Sequence, residues 1–277
     1  MRNVTTSWLA AISRARNGAG DADVLDRPFP ILPWLTVALH PRLIDLIDRI
    51  GLASTYEADE YLLDPNEPVN KVAYVRRGVT GRSAGDPHGQ KASAIAISTP
   101  GHIAYGNLNF FTERHAIGRY FALTPAEIVV CDRNLLYSLI FKDPELLELT
   151  VKQFECCMLS DRLAFASLAL LNAENRLKAF GCTWAANYGE RVEKADGEWI
   201  KMPAPMSRRV RTAIISVSGN WLDGKLQEWM KAGVWLREGD WVWVRADFLD
   251  PVYVWMLRAE GRSVRFDYPE HLAELIR

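Results

Sequence analysis

The segment SRRVRTAIISVSGNWLDGKLQEWMKAGVWLREGDWVWV, residues 207–244, combines three local patterns. Residues 207–216 place apolar side chains at helical spacing, and Ser218 is a residue type that caps the N-terminus of a following helix. Residues 234–236 and 241–244 are short apolar runs separated by a Gly-containing turn, which predicts a β-hairpin. Helix, tight turn, helix and hairpin in this order are typical of a winged helix-turn-helix domain.

The second helix of a helix-turn-helix lies in the major groove of DNA and turns its early residues toward the base edges. Asn pairs well with adenine and Lys with guanine, whereas Arg side chains on the first helix suit phosphates. The candidates for base contacts are therefore Ser218, Gly219, Asn220 and Lys225, and those for phosphate contacts are Arg208, Arg209 and Arg211. Residues 206–231 carry five basic and two acidic side chains. Asp223 and Gly224 weaken the pattern, so the alternative is a solvated helix face without DNA contact.

Tryptophan is concentrated in the C-terminal part of the chain, where eight of the ten lie at or after Trp184. Their spacing matches the inward faces of the predicted elements, which favours core packing in a small domain. The alternative is an aromatic platform on which single-stranded nucleic acid stacks. The residues concerned are Trp221, Trp229, Trp235, Trp241 and Trp243.

A long periodic segment precedes this domain. It opens at Asp143-Pro144, a favourable helix start, and runs to about Phe180 before Gly181. One helix of about 34 residues would be roughly 50 Å long. Its apolar residues form a heptad pattern that is broken at Asp161. We therefore expect this helix to pack against a partner helix in a dimer. The alternative is one long helix buried against the β-domain of its own chain. The pattern consists of Leu147, Val151, Phe154, Met158, Phe165 and Leu168.

The N-terminal half has the pattern of a small β-domain. Residues 55–132 consist of short apolar runs separated by turn residues, which predicts a sandwich or barrel. Before them, Pro41 to Ile50 has helical spacing, with Gly51 as the stop. Residues 1–33 include a Gly- and Asp-rich run followed by closely spaced prolines, and we expect them to be an extension.

Over about residues 41–250 this layout resembles the Crp/Fnr family of bacterial transcription regulators. Residues 62–78 resemble the first hairpin of that family's β-roll, and residues 98–103 resemble the turn that leads into its phosphate cassette. Residues 105–111, YGNLNFF, resemble the cassette itself, while residues 206–235 align with the helix-turn-helix. The resemblance implies an α+β fold with an N-terminal double-stranded β-roll like that of cyclic-nucleotide-binding proteins, a long dimerisation helix and a C-terminal winged helix-turn-helix.

The expected domain boundaries follow from this correspondence. They are an N-terminal extension (1–33), a β-roll sensor domain (34–142), a dimerisation helix (143–180), a winged-helix domain (181–250) and a C-terminal extension (251–277). From residue 252 onward we expect a strand pair around Glu260-Gly261-Arg262 and a final helix from Pro269.

The resemblance also implies an effector site in the cassette. Cyclic-nucleotide-binding members hold a Glu for the ribose and an Arg-Ser pair for the phosphate, because the ligand's charge must be matched. Here Asn107 takes the Glu position, and residues 114–116 and 117–119 stand in place of the Arg-Ser pair, which argues against cyclic AMP while leaving an anion as a possible ligand. The effector-site candidates are Gly106, Asn107, Leu108, Arg114, His115 and Arg119, and the effector itself is not identified.

Cysteine and histidine usage restricts the cofactors. No cysteine precedes Cys131, which excludes the iron–sulfur cluster of the oxygen-sensing members. The four cysteines lack a C-x-x-C spacing, so we interpret them as reduced thiols. Redox sensing by Cys156-Cys157 is an alternative, although adjacent cysteines in a helix cannot easily bridge each other. His102 and His115 are candidates for haem or effector contacts, but they have no metal-ligand spacing and no metal site is predicted.

Composition favours a globular protein. With 33 Lys plus Arg, 34 Asp plus Glu and a net charge of -1, the whole molecule has no bias toward polyanions, so nucleic-acid binding must be local. The apolar runs are far shorter than the ~20 residues that cross a bilayer. Residues 1–20 lack the apolar core of a secretory signal, and we expect a cytoplasmic location and no membrane partner.

The resemblance implies a homodimeric, sequence-specific regulator that binds double-stranded DNA under the control of a small-molecule effector. The sequence contains no motif of a catalytic site, so an enzyme is not expected and no catalytic residue is assigned. The alternative function is a β-roll and winged-helix protein without specific DNA binding, which acts as a protein-interaction or ligand-binding module.

Overall fold

The computed structural model describes residues 31–63, 68–83, 95–116 and 118–259. The chain divides into two compact units, one ending at Asp161 and one beginning at Arg162. The described helices are α1 (Pro41–Ile50), α2 (Arg133–Ile140), α3 (Pro144–Leu170), α4 (Ala173–Tyr188), α5 (Arg208–Ile215), α6 (Gly219–Lys231) and α7 (Ala246–Ala259). The described strands are β1 (Leu52–Tyr56), β2 (Tyr61–Leu63), β3 (Lys71–Arg77), β4 (Thr80–Ser83), β5 (Ile95–Ser98), β6 (Ile103–Tyr105), β7 (Arg119–Ala122), β8 (Ala126–Asp132), β9 (Glu190–Lys194), β10 (Gly197–Pro203), β11 (Trp235–Glu238) and β12 (Trp241–Arg245).

The first unit is built on two four-stranded antiparallel sheets, with strand orders β1-β8-β3-β6 and β2-β7-β4-β5. The longest pairing joins β3 to β8, from Lys71 opposite Asp132 to Arg77 opposite Glu127. One apolar core, which includes Val72 and Tyr74, packs this sheet against α1, α2 and α3. A second core joins Ala73 and Tyr105 of this sheet to Tyr120 of the other sheet. The expected β-roll is confirmed, and α1 coincides with the predicted helix.

The segment before α1 belongs to the β-roll. The Trp34 side chain is 1% exposed, the Thr36 amide donates to the Ile97 carbonyl at 3.0 Å, and the Leu39 amide donates to the Gly101 carbonyl at 2.7 Å. Ile31 and Leu32, which were expected in the N-terminal extension, are also buried. The packed region therefore starts a few residues earlier than predicted, and residues 1–30 lie outside the described part of the chain.

The predicted single helix from about 143 to Phe180 is two helices. The 27-residue α3 ends at Leu170, and Asn172 caps α4 by accepting a hydrogen bond from the Asn175 amide at 2.9 Å. An Asn side chain competes with the backbone inside a helix and satisfies amides at a helix start. Gly181, the predicted stop, lies within α4, which instead ends at Tyr188 with Gly189 as its C-cap.

Gly181→Ala is expected to stabilise the chain by about 0.5–1 kcal/mol, because an interior helical Gly is less favourable than Ala. The added Cβ would lie 3.6 Å from Leu249 Cδ2, an ordinary contact. Gly189→Ala is the matched control, since its Cβ would approach the Ala185 carbonyl oxygen to 2.4 Å and should destabilise. Urea unfolding measures both, and a loss of stability in the Gly181 variant would contradict this assignment.

The second unit contains a four-stranded antiparallel sheet in the order β11-β12-β10-β9. The predicted hairpin is confirmed as β11 and β12. The sequence analysis did not predict β9 and β10, because the charged run at 193–198 and the prolines at 203 and 205 are residue types typical of turns. Strand β10 pairs with β12 from Trp199 opposite Arg245 to Pro203 opposite Trp241. The buried face of the pair carries Ile200, Met202, Val242 and Val244.

The strand predicted from residue 252 is wrong over the described residues. Helix α7 spans Ala246–Ala259 with Pro251 inside it, so the predicted boundary at residue 250 falls within a helix. Short apolar runs fit a strand or a buried helix equally well, and packing selected the helix, whose Leu249, Val252 and Met256 are buried. The strand pair around Glu260 and the last helix lie outside the described residues. No helix in the described ranges is long and apolar enough to span a membrane.

Candidate functional site

The two helices of the predicted helix-turn-helix are held by local capping. Ser207 caps α5 by accepting from the Val210 amide, and Ser218 caps α6 by accepting from the Trp221 amide at 3.2 Å. Between them Ser216 adopts the left-handed conformation, with φ 54° and ψ 62°. Capping and turn geometry thus set the start of the second helix, and the predicted helix-turn-helix is confirmed as a structural element.

Arg208 connects the two helices. Its Nε donates to Asp223 Oδ2 at 2.9 Å, and its Nη2 donates to Asn220 Oδ1 at 3.2 Å. The Arg208 and Asp223 side chains are 51% and 50% exposed. The sequence pattern suggested that the charge of Asp223 would repel DNA phosphates. In the structure this carboxylate is paired with Arg208, a candidate DNA-binding residue. We refer to Arg208, Asn220 and Asp223 together as the Arg208 cluster.

The other predicted contact residues are placed differently. Arg209 is exposed, whereas Arg211 is half-buried, and burial lowers the pKa of its guanidinium. Lys225 is 18% exposed and forms ion pairs with Glu228 at 2.7 Å and with Glu174 of α4 at 3.3 Å. Lys225 therefore links α6 to α4, and its contact with guanine stays a prediction.

The hairpin between β11 and β12 adds one exposed cation that the sequence interpretation missed. Arg237 lies on β11 next to the turn and donates from Nε to the Gly239 carbonyl at 3.3 Å. A cation beside the Gly-containing turn of a wing was the available signal. Outside the Arg208 cluster, Arg209 and Arg237 are exposed cations and are our candidates for phosphate contacts.

Core packing of the tryptophans is confirmed for some of them. Trp229 and Trp235 are buried, with ring centroids 5.7 Å apart. Trp241 is 41% exposed, so its assignment to the core was wrong. It lies on the sheet face opposite Val242, because successive strand residues alternate between faces. Lys201 Nζ sits 4.4 Å from the centroid of the Trp241 ring.

The predicted effector-site residues differ in their exposure. Gly106 has φ +97°, and a Cβ there would lie 2.7 Å from the Lys71 carbonyl oxygen. Asn107 is 5% exposed, and within the described ranges its Nδ2 has no hydrogen-bond partner. Leu108 is half-buried, Arg114 and His115 are exposed, and Arg119 is half-exposed. Arg114, His115 and Arg119 are therefore more exposed than the Asn107 side chain, and their contact with an effector stays a prediction.

Arg82 is a buried cation of the β-roll that the sequence interpretation missed. Its side chain is 12% exposed, and Nη2 lies 2.5 Å from both carboxylate oxygens of Asp161. Tyr120 lies opposite Arg82 on the neighbouring strand, and burial raises the pKa of its hydroxyl. The available signal was Asp161 itself, since a carboxylate inside an apolar helical stripe requires a cationic partner.

A second buried arginine fixes the cassette. Arg133 at the start of α2 donates from Nε to the Phe110 carbonyl at 2.6 Å and from Nη1 to Glu113 at 2.9 Å. The Phe110 ring is fully buried and contacts Phe154 of α3, with centroids 5.3 Å apart. The cassette is thereby connected to two helices, so a change at the cassette can reach α3.

The heptad pattern of α3 divides between two faces. Phe154 is 7% exposed and packs into the β-roll core, while Val151, Met158 and Phe165 are 48%, 55% and 61% exposed. These three residues are spaced seven apart, and we call them the exposed stripe. The alternative of burial against the chain's own β-domain thus holds for Phe154, and the exposed stripe is left for a partner.

His102, Cys131 and Cys157 are buried, whereas Cys156 is partly exposed. His102 Nδ1 donates to the Thr36 carbonyl oxygen, and burial lowers the pKa of His102 to about 4. Burial raises the pKa of Cys131 to about 12 and of Cys157 to about 11, so neither is a reactive thiolate at neutral pH. In the part of the chain that the structure describes, no three His, Cys, Asp or Glu side chains are grouped to hold a metal ion.

Solved structures share this fold. FixK2 from Bradyrhizobium japonicum matches with a TM-score of 0.62 at 16% identity, over 73% of this chain and 97% of that one. A mutant of CooA from Carboxydothermus hydrogenoformans matches with a TM-score of 0.59 at 16% identity, over 76% and 90%. A transcriptional regulator of the CRP/FNR family from Thermus thermophilus matches with a TM-score of 0.54 at 17% identity, over 76% and 100%. No family profile and no curated protein matches the sequence.

Proposed function

We propose that this chain, which has the fold of the Crp/Fnr regulators, is a homodimeric, sequence-specific DNA-binding transcription regulator controlled by an effector of the β-roll. The observation that carries the proposal is the capped helix-turn-helix, whose exposed Arg209, Arg208 cluster and wing Arg237 suit a duplex. Phosphate contacts from Arg209 and Arg237 would set the orientation, and the N-terminal end of α6 would meet base edges. The protein would act in the cytoplasm, where a bacterial chromosome lies.

The exposed stripe on α3 supports dimerisation. A row of apolar side chains at seven-residue spacing suits a parallel partner helix. Two copies of α6 would then read half-sites about 34 Å apart, one helical turn of DNA. This arrangement predicts a two-fold symmetric target site, because a dimer with two-fold symmetry presents the same residues to both halves.

The effector would act from the buried part of the β-roll. Within the described ranges, the buried Asn107 Nδ2 donates no hydrogen bond and could donate one to a ligand. Arg133 joins the cassette to α2 through its bond to the Phe110 carbonyl. A ligand with a hydrogen-bond acceptor near Asn107 would shift the cassette against Phe154 and so bias the orientation of α3. Because Asn107 stands where cyclic-nucleotide-binding members have the Glu that binds the ribose, cyclic AMP is not the effector that we propose.

Selection from random duplex DNA tests the proposal. We expect a two-fold symmetric site to be enriched, with an affinity that falls as salt rises. Arg209→Ala combined with Arg237→Ala should weaken all duplexes similarly and reduce the salt slope by about 2, or about 1 for each lost phosphate contact. Arg77→Ala in the β-roll, whose side chain is 82% exposed, is the matched control and should change neither quantity. Absence of enrichment at every salt concentration would contradict the proposal.

One observation favours a second function, a module that acts through protein contacts without specific DNA binding. Trp241 is exposed on the outer face of the sheet in the second unit, with Lys201 over its ring. Exposed aromatic side chains are enriched at protein interfaces. This function predicts duplex binding without sequence preference, which the same selection would reveal.

A further inference from the structure

We propose that Arg208 reads a guanine in the target site and that Asp223 is the residue that positions it. This inference rests on the proposed function and refines it. The sequence interpretation assigned Arg208 to phosphates because it lies on the first helix. The geometry of the Arg208 cluster assigns it instead to the base-reading end of α6.

The guanidinium of Arg208 occupies the place of a missing side chain. Gly219 is the first residue of α6, the part of a recognition helix that meets base edges. A Cβ on Gly219 would lie 2.2 Å from Arg208 Cζ and 2.4 Å from both Nη1 and Nη2. Arg208 therefore supplies the functional group where the helix itself has none.

Asp223 fixes the orientation of this group. It follows Gly219 by four residues, so both lie on the same face of α6. Its Oδ2 accepts from Arg208 Nε at 2.9 Å and contacts Nη2 at 2.8 Å. An arginine held at its Nε edge by a carboxylate loses little further freedom on binding, and this lowers the entropic cost of recognition.

The opposite edge of the guanidinium can meet guanine. The longest contact in the cluster is the 3.2 Å bond from Nη2 to Asn220 Oδ1, and it is the one that exchanges most readily. Nη1 and the hydrogen released from Asn220 then form the paired donors that match guanine O6 and N7. Asn220 becomes available for a neighbouring base, and Asp223 stays bound to Nε.

This arrangement also accounts for an acidic residue on a helix that faces a polyanion. An unpaired carboxylate there would repel phosphates, whereas a carboxylate bound to Arg208 is neutralised and adds geometric selectivity. Gly219 and Asp223 thus both position Arg208. Gly219 leaves space for the guanidinium, and Asp223 accepts the hydrogen bond from its Nε.

The test is selection from random duplex DNA with single variants of the full chain. Wild type should prefer guanine at one position in each half-site by about 10- to 100-fold. We expect Arg208→Ala and Asp223→Ala to lose this preference while the other positions of the site are still enriched. Arg208→Lys should not restore it, because an ammonium group cannot bind the carboxylate and both guanine acceptors in one plane.

Two further variants separate this role from general charge effects. Gly219→Ala removes no charge but displaces the guanidinium, and it should lose the same guanine preference. Arg209→Ala, the neighbouring arginine, should weaken binding to all sequences and leave the preference intact. Thermal unfolding of each variant checks that the half-exposed cluster is not needed for folding.

The outcomes distinguish this inference from the proposed function. If wild type enriches no sequence, the proposed regulator fails and the guanine contact fails with it. If a site is enriched but Arg208→Ala weakens every sequence alike, Arg208 is a phosphate contact and only the inference is overturned. If Asp223→Ala strengthens binding to the guanine-containing site, Asp223 sequesters Arg208 rather than positioning it, which also overturns the inference.

Discussion

Asp161→Ala is expected to lower the free energy of unfolding by about 3 kcal/mol, because it leaves the Arg82 guanidinium buried without its carboxylate. The Arg82 side chain is 12% exposed and that of Asp161 is 26% exposed. Breaking a buried ion pair typically costs about 3–5 kcal/mol of unfolding free energy. Because Asp161 is partly exposed, we expect a loss at the lower end of that range. Urea unfolding followed by circular dichroism measures the loss.

Two variants make this prediction specific. Arg82→Met combined with Asp161→Leu removes both charges and should cost less than Asp161→Ala alone, since no uncompensated charge stays buried. Glu145→Ala breaks the exposed pair with Arg42, whose atoms are 2.7 Å apart, and should cost less than about 1 kcal/mol. If Asp161→Ala costs no more than Glu145→Ala, the Arg82 pair does not stabilise the β-roll.

Met158→Glu is expected to convert the proposed dimer into monomers. Met158 is 55% exposed on α3, so the change removes little packing within one chain but places a charge where the partner helix would lie. A hot-spot residue near the centre of an interface contributes about 2 kcal/mol or more, or roughly 30-fold in affinity. A symmetric dimer carries two copies, so the dissociation constant should rise by roughly 1,000-fold.

Sedimentation and duplex binding measure this effect together. The monomer should lose affinity for the two-fold symmetric site while its thermal unfolding temperature, measured at a concentration where wild type is monomeric, is unchanged. Leu52→Glu is the matched control, because Leu52 on β1 is 79% exposed and lies outside the exposed stripe. A Met158→Glu protein that sediments as a dimer would show that the stripe does not form the interface.

The β-roll shows why some functional candidates were found from sequence and others were not. The resemblance identified Gly106 as a cassette residue, and its φ of +97° is a local backbone requirement that favours glycine. The resemblance placed Arg114, His115 and Arg119 where the family has its Arg-Ser pair, and the structure shows them exposed or half-exposed. Arg82 lies 79 positions before its partner Asp161 in the chain, and no spacing rule links two residues so far apart.

The sequence by itself determined the helix-turn-helix, the hairpin and the presence of a β-domain. Capping serines at 207 and 218, apolar periodicity and turn residues act within a few positions, and local rules describe such effects well. Only the tertiary structure decided that residues 252–259 are helical, that Asn172 divides the long helix, and that Arg208 and Arg82 are held by Asp223 and Asp161. Whether a short apolar run forms a helix or a strand depends on the surface that buries it. Which charged side chains pair depends on which segments of the chain meet. Local residue spacing predicts neither.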